Sequence, residues 1–254
     1  MKKIISSNIY LLGDASNRID DILPWKLIED IPKLFEDKKL NKMKNPIIKD
    51  VVINQDNGPV VIDITATIEP YTILNGPVYI GSNVLIKSHS NISNSIIEDN
   101  CKVKGEIHSS IFQPFSNKAH DGFIGHSFIG SWVNLGAGTT TSNLKNNYSS
   151  VSVKWNGDLV DTESIFFGAV IGEHVKTSIG TNLNTATVIE MGSNVVSQSF
   201  PPRHIPAFSL FYKDKLMKIK FDDFCDTVEK AMKRRDKTLS SSEKEVLSSI
   251  YKNC

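Results

Sequence analysis

A period of six residues constrains this 254-residue chain more than any other feature. Ile62, Ile68, Leu74, Ile80, Ile86 and Ile92 follow one another at that interval, and after a one-residue slip Ile97 and Val103 continue the series. It resumes with Ile129, Leu135 and Thr141, and again with Ile179, Thr185 and Met191. Two positions before many of these stands a small or β-branched residue: Ala66, Thr72, Val78, Val84, Ser90 or Cys101. Glycine often follows, as at Gly81, Gly125, Gly130, Gly136, Gly180 and Gly192. A period of six fits neither one α-helix nor one alternating strand, so the repeat belongs to an architecture. A parallel β-helix accounts for it: each hexad forms one flat face, three faces make a coil, and the aliphatic residue points inward onto its counterpart one coil along. Glycine would take the corner angles that a β-carbon opposes. A sandwich of short strands is the rival, but it has no reason to hold one spacing over consecutive matches. The period does not fix the hand of the coil, and the general rule for parallel crossovers is right-handed.

The repeat divides the chain into a short α/β segment (1–58), a β-helix domain (59–198) and a helical extension (199–254), a mainly β protein overall. In the first zone "NIYLL" (Asn8 to Leu12) predicts a short buried strand. Pro24 to Lys39 predicts two short helices, because Trp25, Ile28, Ile31, Leu34 and Phe35 recur at helical spacing and Pro32 interrupts them. In the last zone, after the proline-rich "SFPPRHIPAF", Phe221, Phe224, Cys225, Val228 and Met232 form an apolar stripe. Lys233, Arg234 and Arg235 then read as a solvated helix end, where positive charge is favoured. Ser242 and Glu245 predict a capping box for a final helix bearing Val246, Leu247, Ile250 and Tyr251. The hexads lapse between Gly105 and Ile124 and again over Ser142 to Ser164, so both stretches are expected to leave the rod as corner loops, where function resides.

Lys+Arg 29 against Asp+Glu 28 gives no support for a nucleic-acid surface. The apolar run after Met1 stops too early for a signal peptide, and no stretch reaches the ~18 apolar residues of a membrane span. Cys101, Cys225 and Cys254 are scattered and odd in number, which argues against a disulfide framework and for a reducing, cytoplasmic setting.

The chemistry concentrates in "SNKAHDGFIGHSFIGSWVNLGAGTTTSNL", Ser116 to Leu144. Three roles fit its histidines. A metal site could draw on His89, His108, His120 and His126, but His120 and His126 stand one hexad apart, on adjacent faces. A packing role would make His120 a satisfied turn residue and the glycines mere corners. Acyl transfer to an amine would use His120 as a base of suitable pKa, with glycine corners presenting backbone N–H groups to the developing oxyanion. Glu106, Lys118, Asn143 and Lys145 would supply polar contacts to a sugar and its phosphate. Spacing alone leaves the three open.

"GHSFIGSWVNLGAGTTTSNLKNNY" resembles the acetyltransferase domain of the bifunctional N-acetylglucosamine-1-phosphate uridyltransferase/glucosamine-1-phosphate acetyltransferase family. "SNKAHDGFIG" and "SNLKNNY" are closer still to bacterial members described as sugar nucleotidyltransferases, and the likeness covers about residues 59–212. The resemblance implies a left-handed β-helix, a homotrimer with active sites between subunits, and an N-acyltransferase that takes acetyl-CoA or another acyl-CoA without needing a metal. The implied acceptor is an amino-sugar phosphate or nucleotide-linked amino sugar. Carried over, His120 is the general base, Asn143 and Glu106 complete the catalytic set, and Lys118, Asp121, Phe123 and Lys145 lie at the substrate. Gly136, Ala137, Gly138 and Thr139 would line the acyl-CoA arm. Phe123 stands where the family has an aromatic hydroxyl, and His108 where it has a sugar-phosphate lysine. The family's nucleotide loop has no counterpart here, so nucleotidyl transfer is not expected and a separate nucleotidyltransferase could be a partner. A rod kept only for assembly or regulation of a sugar-nucleotide enzyme is the alternative.

Overall fold

The computed structural model describes residues 9–11, 14–16, 23–36, 46 and 48–254. Short parallel strands stack as the coils of a β-helix. One inward column runs Ile62, Ile80, Ile97, Phe112, Ile129, Ile171, Ile189 and Ile205, each the register partner of the next. All of them are fully buried. A second column joins Leu74, Ile92, Ile107 and Ile124, and a third joins Ile68, Ile86, Val103 and Lys118. The aliphatic members share one apolar interior, so stability accrues rung by rung from nearest neighbours. Parallel pairing begins at Val52–Asn54 and ends at Ser209–Tyr212, which takes in residues on both sides of 59–198.

Two parts of the sequence pattern resolve differently from expectation. Residues 105–124 are not a loop but a full coil. Its strands Glu106–His108, Ile111–Phe112 and Asn117–Lys118 each pair in parallel with the coil below. The hexads lapse there because the coil is short: Ile97 and Phe112 are partners 15 residues apart, against 18 for Ile62 and Ile80. Near the other end the frame Ile179, Thr185, Met191 is not the inward one. Ile179 is 77% exposed, and the interior holds Ile171, Leu183, Ile189 and Val195 instead. Both frames repeat at six, and only strand pairing chooses between them.

The corners also differ. Of the glycines expected there, only Gly180 and Gly192 have positive φ. Left-handed angles fall instead on many residues that carry side chains, among them Asn100, Phe115, His126, Trp132 and His174. Along one corner four such residues donate their backbone N–H to a carbonyl of the coil below: Asn100 to Ser82, Phe115 to Asp99, Trp132 to Pro114 and His174 to Ser131. This ladder of bonds offsets the cost of left-handed backbone at residues with side chains. Gly192 occupies the next rung at φ +68, and a Cβ there would meet both Phe208 and Phe224 at 2.8 Å. Phe224 therefore fills the rung that Gly192 leaves vacant.

One outer face of the rod is as apolar as its interior. Tyr79, Ile96, Ile111, Phe128, Val170 and Val188 line up in register and are buried. Helices α1 (Pro24–Glu29) and α2 (Ile31–Leu34) cover them. The break falls at Asp30, and Pro32 sits in the first turn of α2, where its missing N–H costs nothing. The excursion Ser142 to Ser164 adds a hairpin, Ser152–Trp155 against Asp158–Asp161. Rather than projecting as a polar loop, it buries Val151, Val153 and Trp155 in the same layer. Trp25 meets Trp155 edge-on at 5.6 Å and Phe167 at 5.8 Å. Asn8 and Leu12, at the ends of the expected first strand, and the stretch after Glu36 lie outside the described residues. Ile9–Leu11 pairs with Asp14–Ser16.

Helices α3 (Phe221–Lys233) and α4 (Ser241–Lys252) pack on the aromatic corner through Phe224, Cys225, Val228, Met232 and Leu247. The capping box lies two residues earlier than expected, between Ser240 and Glu243. Arg235 is not a solvated helix end: its guanidinium donates to Asn117 Oδ1 at 2.7 Å and ties α3 to the rod. No described helix is long and apolar enough to cross a membrane.

Candidate functional site

The strand Asn117–Lys118 delivers the turn that carries His120. Pleating turns Lys118 into the interior column, one rung from Val103. There the lysine is wholly buried, and its Nζ donates to the His120 carbonyl at 2.7 Å. Burial lowers its pKa to about 8, opposed by the nearby Asp121 carboxylate. Lys118 was expected at the substrate; the structure makes it instead the internal brace of the His120 turn. His120 itself is exposed, and its imidazole makes no hydrogen bond among the described residues. Asp121 is exposed and pairs with Lys104 at 3.3 Å.

The turn Gly136 to Thr139 sits one coil above. Gly138 N–H donates to the Asp121 carbonyl at 2.9 Å, and Gly180 N–H donates in turn to the Ala137 carbonyl at 2.7 Å. Gly136 N–H is taken by Thr177 Oγ1 at 3.0 Å, and Thr139 N–H by the Gly136 carbonyl at 3.1 Å. Thr139 is buried, with its Oγ1 2.8 Å from that of Thr177. The amides of Gly136, Gly138 and Thr139, in the turn expected to line the acyl-CoA arm, are thus engaged in holding the corner.

Beside this corner, Phe123 and Asn143 converge over Gly125. A Cβ on Gly125 would lie 2.4 Å from Phe123 Cζ and 2.7 Å from Asn143 Nδ2, so only glycine admits both side chains. Glu106 is exposed and is the register partner of Phe123 on the neighbouring strand. Asn143 stands at the neck of the excursion, where its carbonyl accepts from Phe167 N–H at 2.9 Å and Leu144 bridges Phe166. Lys145 closes that neck by donating to the Ser150 carbonyl at 2.7 Å, so its ammonium is engaged within the loop.

The sequence missed the partner of Asn143. Its Nδ2 donates to His126 Nδ1 at 2.9 Å. His126 stacks on Phe166 at 5.0 Å and meets His108 edge-on at 5.1 Å, and His108 Nδ1 lies 2.7 Å from Ser93 Oγ. Burial, reinforced by His108, lowers the His126 pKa to about 4, so its Nδ1 stays an acceptor near neutrality. Burial also lowers His108, against the pull of Glu106. The signal for this cluster was the coil step: Ser93, His108 and Gly125 are register partners, and His126 follows directly. From the sequence pattern alone, His108 and His126 stood out as candidate metal ligands. Among the described residues no three His, Cys, Asp or Glu side chains are grouped to hold a metal ion.

No family model matches the chain. Curated relatives do. A bifunctional GlmU protein of Methanococcus aeolicus is 30% identical over 200 residues, covering 78% of this chain and 47% of the relative. The bifunctional GlmU protein of Wigglesworthia glossinidia brevipalpis is 33% identical over 151 residues, covering 54% and 30%. The chain is a homologue of these bifunctional proteins. A bifunctional sugar-1-phosphate nucleotidylyltransferase/acetyltransferase of Sulfurisphaera tokodaii matches at 33% identity over 78 residues, 31% of this chain and 20% of that one. The chain spans about half the length, or less, of the curated relatives it matches. A Bacillus cereus structure described as a candidate acetyltransferase superposes with a TM-score of 0.44 at 15% identity, over 73% of this chain and 93% of that one, too loosely to build on.

Proposed function

We propose that this GlmU homologue is an acyl-CoA-dependent N-acyltransferase, with acetyl as the favoured group, acting on an amino-sugar phosphate or nucleotide-linked amino sugar. The observation that carries the reading is the placement of His120. Its unpartnered, exposed imidazole sits on a turn braced from inside by Lys118 and bonded through Asp121 to the Gly136–Thr139 turn. The base takes a proton from the acceptor's amine. The freed nitrogen attacks the thioester carbonyl, the N–C bond forms as the C–S bond breaks, and the CoA thiolate leaves and recovers the proton. Asn143, its amide oriented by His126, and Glu106 on the adjoining strand hold the acceptor's hydroxyls.

The corner continues past Gly180 into a hollow of about 610 Å³ lined by Ser178, Ile179, Val196 to Ser199 and Tyr212 to Asp214. Exposed Ile179, Val196 and Tyr212 give an apolar track that fits a pantetheine arm, and Lys213 offers a cation for its phosphates. A homotrimer in the cytoplasm would supply the oxyanion donors that the engaged corner amides do not, from a neighbouring subunit. That same engagement favours a second reading, a rod serving assembly alone. Calorimetry with acetyl-CoA, and CoA release with a panel of amino-sugar phosphates, decide between them. Binding, with turnover lost in His120→Ala while the oligomer persists, supports the enzyme; absence of acyl-CoA binding supports the scaffold.

A further inference from the structure

The basic run that closes α3 does not stay at the helix end. Arg235 is half-buried and turns back onto the rod, where its guanidinium donates to Asn117 Oδ1 at 2.7 Å. Asn117 is the register partner of Lys102, one strand spacing of ~4.8 Å away. The Arg235 charge, with burial and Arg234 behind it, lowers the Lys102 pKa. Burial, reinforced by Arg234, lowers that of Arg235 in turn, so the three cations are close enough to repel one another. A helix C-terminus favours Lys233 and Arg234 where they stand. It does not account for Lys102, which comes from another coil, or for Arg235, which leaves the helix for the rod.

Nothing on the protein neutralises this group. The side chains of Lys102 and Arg234 make no hydrogen bond or ion pair among the described residues, and Arg235 has Asn117 as its one partner there. Asp236, next in the chain, makes no ion pair among the described residues either. The outward row through this point runs Leu85, Lys102, Asn117, Asn134, Lys176 and Asn194, without a carboxylate. Like charges gathered by a fold are unfavourable unless a counter-charge joins them. A guanidinium oriented by Asn117 keeps most of its N–H groups for an external acceptor, and accepting through Oδ1 leaves Asn117 Nδ2 as a further donor. Arginine and lysine donors around one point match an oxyanion, and a phosphoryl group supplies more charge and more acceptor oxygens than a carboxylate does.

We propose that Lys102, Arg234 and Arg235, together with Asn117, form a binding site for the phosphoryl group of a small phosphorylated molecule, between α3 and the rod. The site uses none of the residues assigned to acyl transfer and does not depend on that assignment.

The test titrates pyrophosphate into the full chain by calorimetry at constant ionic strength, which holds general screening fixed, with acetate as the comparison anion. Saturable pyrophosphate binding is expected, tighter than acetate by at least ~10-fold. Lys102→Gln and Arg234→Gln, both at exposed side chains, should each weaken it by about the same factor, with circular dichroism reporting the fold. Lys154→Gln, which removes an exposed cation from the Ser152–Trp155 strand, should leave it unchanged, as should His120→Ala. Pyrophosphate should also shift the Arg235 Nε–H resonance. CoA distinguishes the source of the phosphoryl group: displacement of pyrophosphate by CoA assigns the site to the acyl donor, and independent binding assigns it to a separate phosphorylated molecule. No saturable binding, acetate bound as tightly, equal weakening by Lys154→Gln, or binding unaffected by both Lys102→Gln and Arg234→Gln would each overturn the proposal.

Discussion

Lys118 occupies an interior rung where the same column elsewhere holds Ile68, Ile86 and Val103, so replacing it with methionine should stabilise the rod. Its ammonium titrates at about 8 in the folded chain, against an ordinary 10.5. At ~1.4 kcal/mol per unit, burying the charged form costs about 3 kcal/mol. Lys118→Met removes that cost and forfeits the bond from Nζ to the His120 carbonyl, worth about 1 kcal/mol. The variant is therefore expected to be more stable by about 2 kcal/mol at pH 7. The sign reverses with pH. Below 8 the lysine is protonated in both states and the full cost is present. Between 8 and 10.5 the folded state has lost its proton while the unfolded state keeps it, so the natural chain gains stability as pH rises. The advantage of the variant should shrink steadily over that window. Urea unfolding of both proteins at pH 7 and pH 10 measures it, and the contribution of Lys176, also lowered by burial, cancels in the comparison. Acyl transfer should fall in the protein that gains stability, because the His120 turn loses its brace. A variant less stable at pH 7, or a stability gap equal at both pH values, would refute the placement of a charged amine in the core.

Gly125→Ala introduces a Cβ 2.4 Å from the Phe123 ring and 2.7 Å from the Asn143 amide. Both side chains must shift, so turnover is expected to drop by at least ~10-fold with a stability loss of about 1–3 kcal/mol, read by CoA release and urea unfolding. Trp155→Ala removes the edge-on partner of Trp25. It should cost about 3–5 kcal/mol and alter the fluorescence of Trp25 before the rod unfolds, which a denaturant titration followed by fluorescence and circular dichroism separates.

The columns were legible because their physics is periodic. Ile62, Ile80 and Ile86 had to face inward whichever fold formed, and the repeat supplied the coil. The coil from Gly105 to Ile124 was not legible, since a coil shortened to 15 residues breaks the count while the pairing continues. The frame near Ile179 failed for a related reason: two aliphatic series at one spacing differ only in which strand each pairs with. The corners were misassigned because glycine is the residue that tolerates positive φ most cheaply, yet Phe115, Trp132 and His174 reach it through ladder hydrogen bonds contributed by other coils. At the site, His120, Phe123 and Asn143 were singled out by wording shared with a family. His126 was invisible as the partner of Asn143, since the two are 17 positions apart and meet only because one coil intervenes. Lys118 read as a surface cation because nothing local marks a lysine for burial.

A solenoid separates chemistry from stability more cleanly than a globular core does. Ile129 pairs directly with Ile171, so the column closes across the whole excursion as if it were absent. The excursion can then serve the site at its neck, where Asn143 meets His126, and serve packing at its tip, where Trp155 meets Trp25. Substitutions at the neck should alter turnover with little effect on the column, and those at the tip the reverse. Lys118 is the exception, because it stands in a column and braces the His120 turn at once. An interior position that an aliphatic side chain would fill more favourably is held by an amine whose one bond fixes the proposed base. Requirements on the turn, rather than on the fold, account for a lysine there.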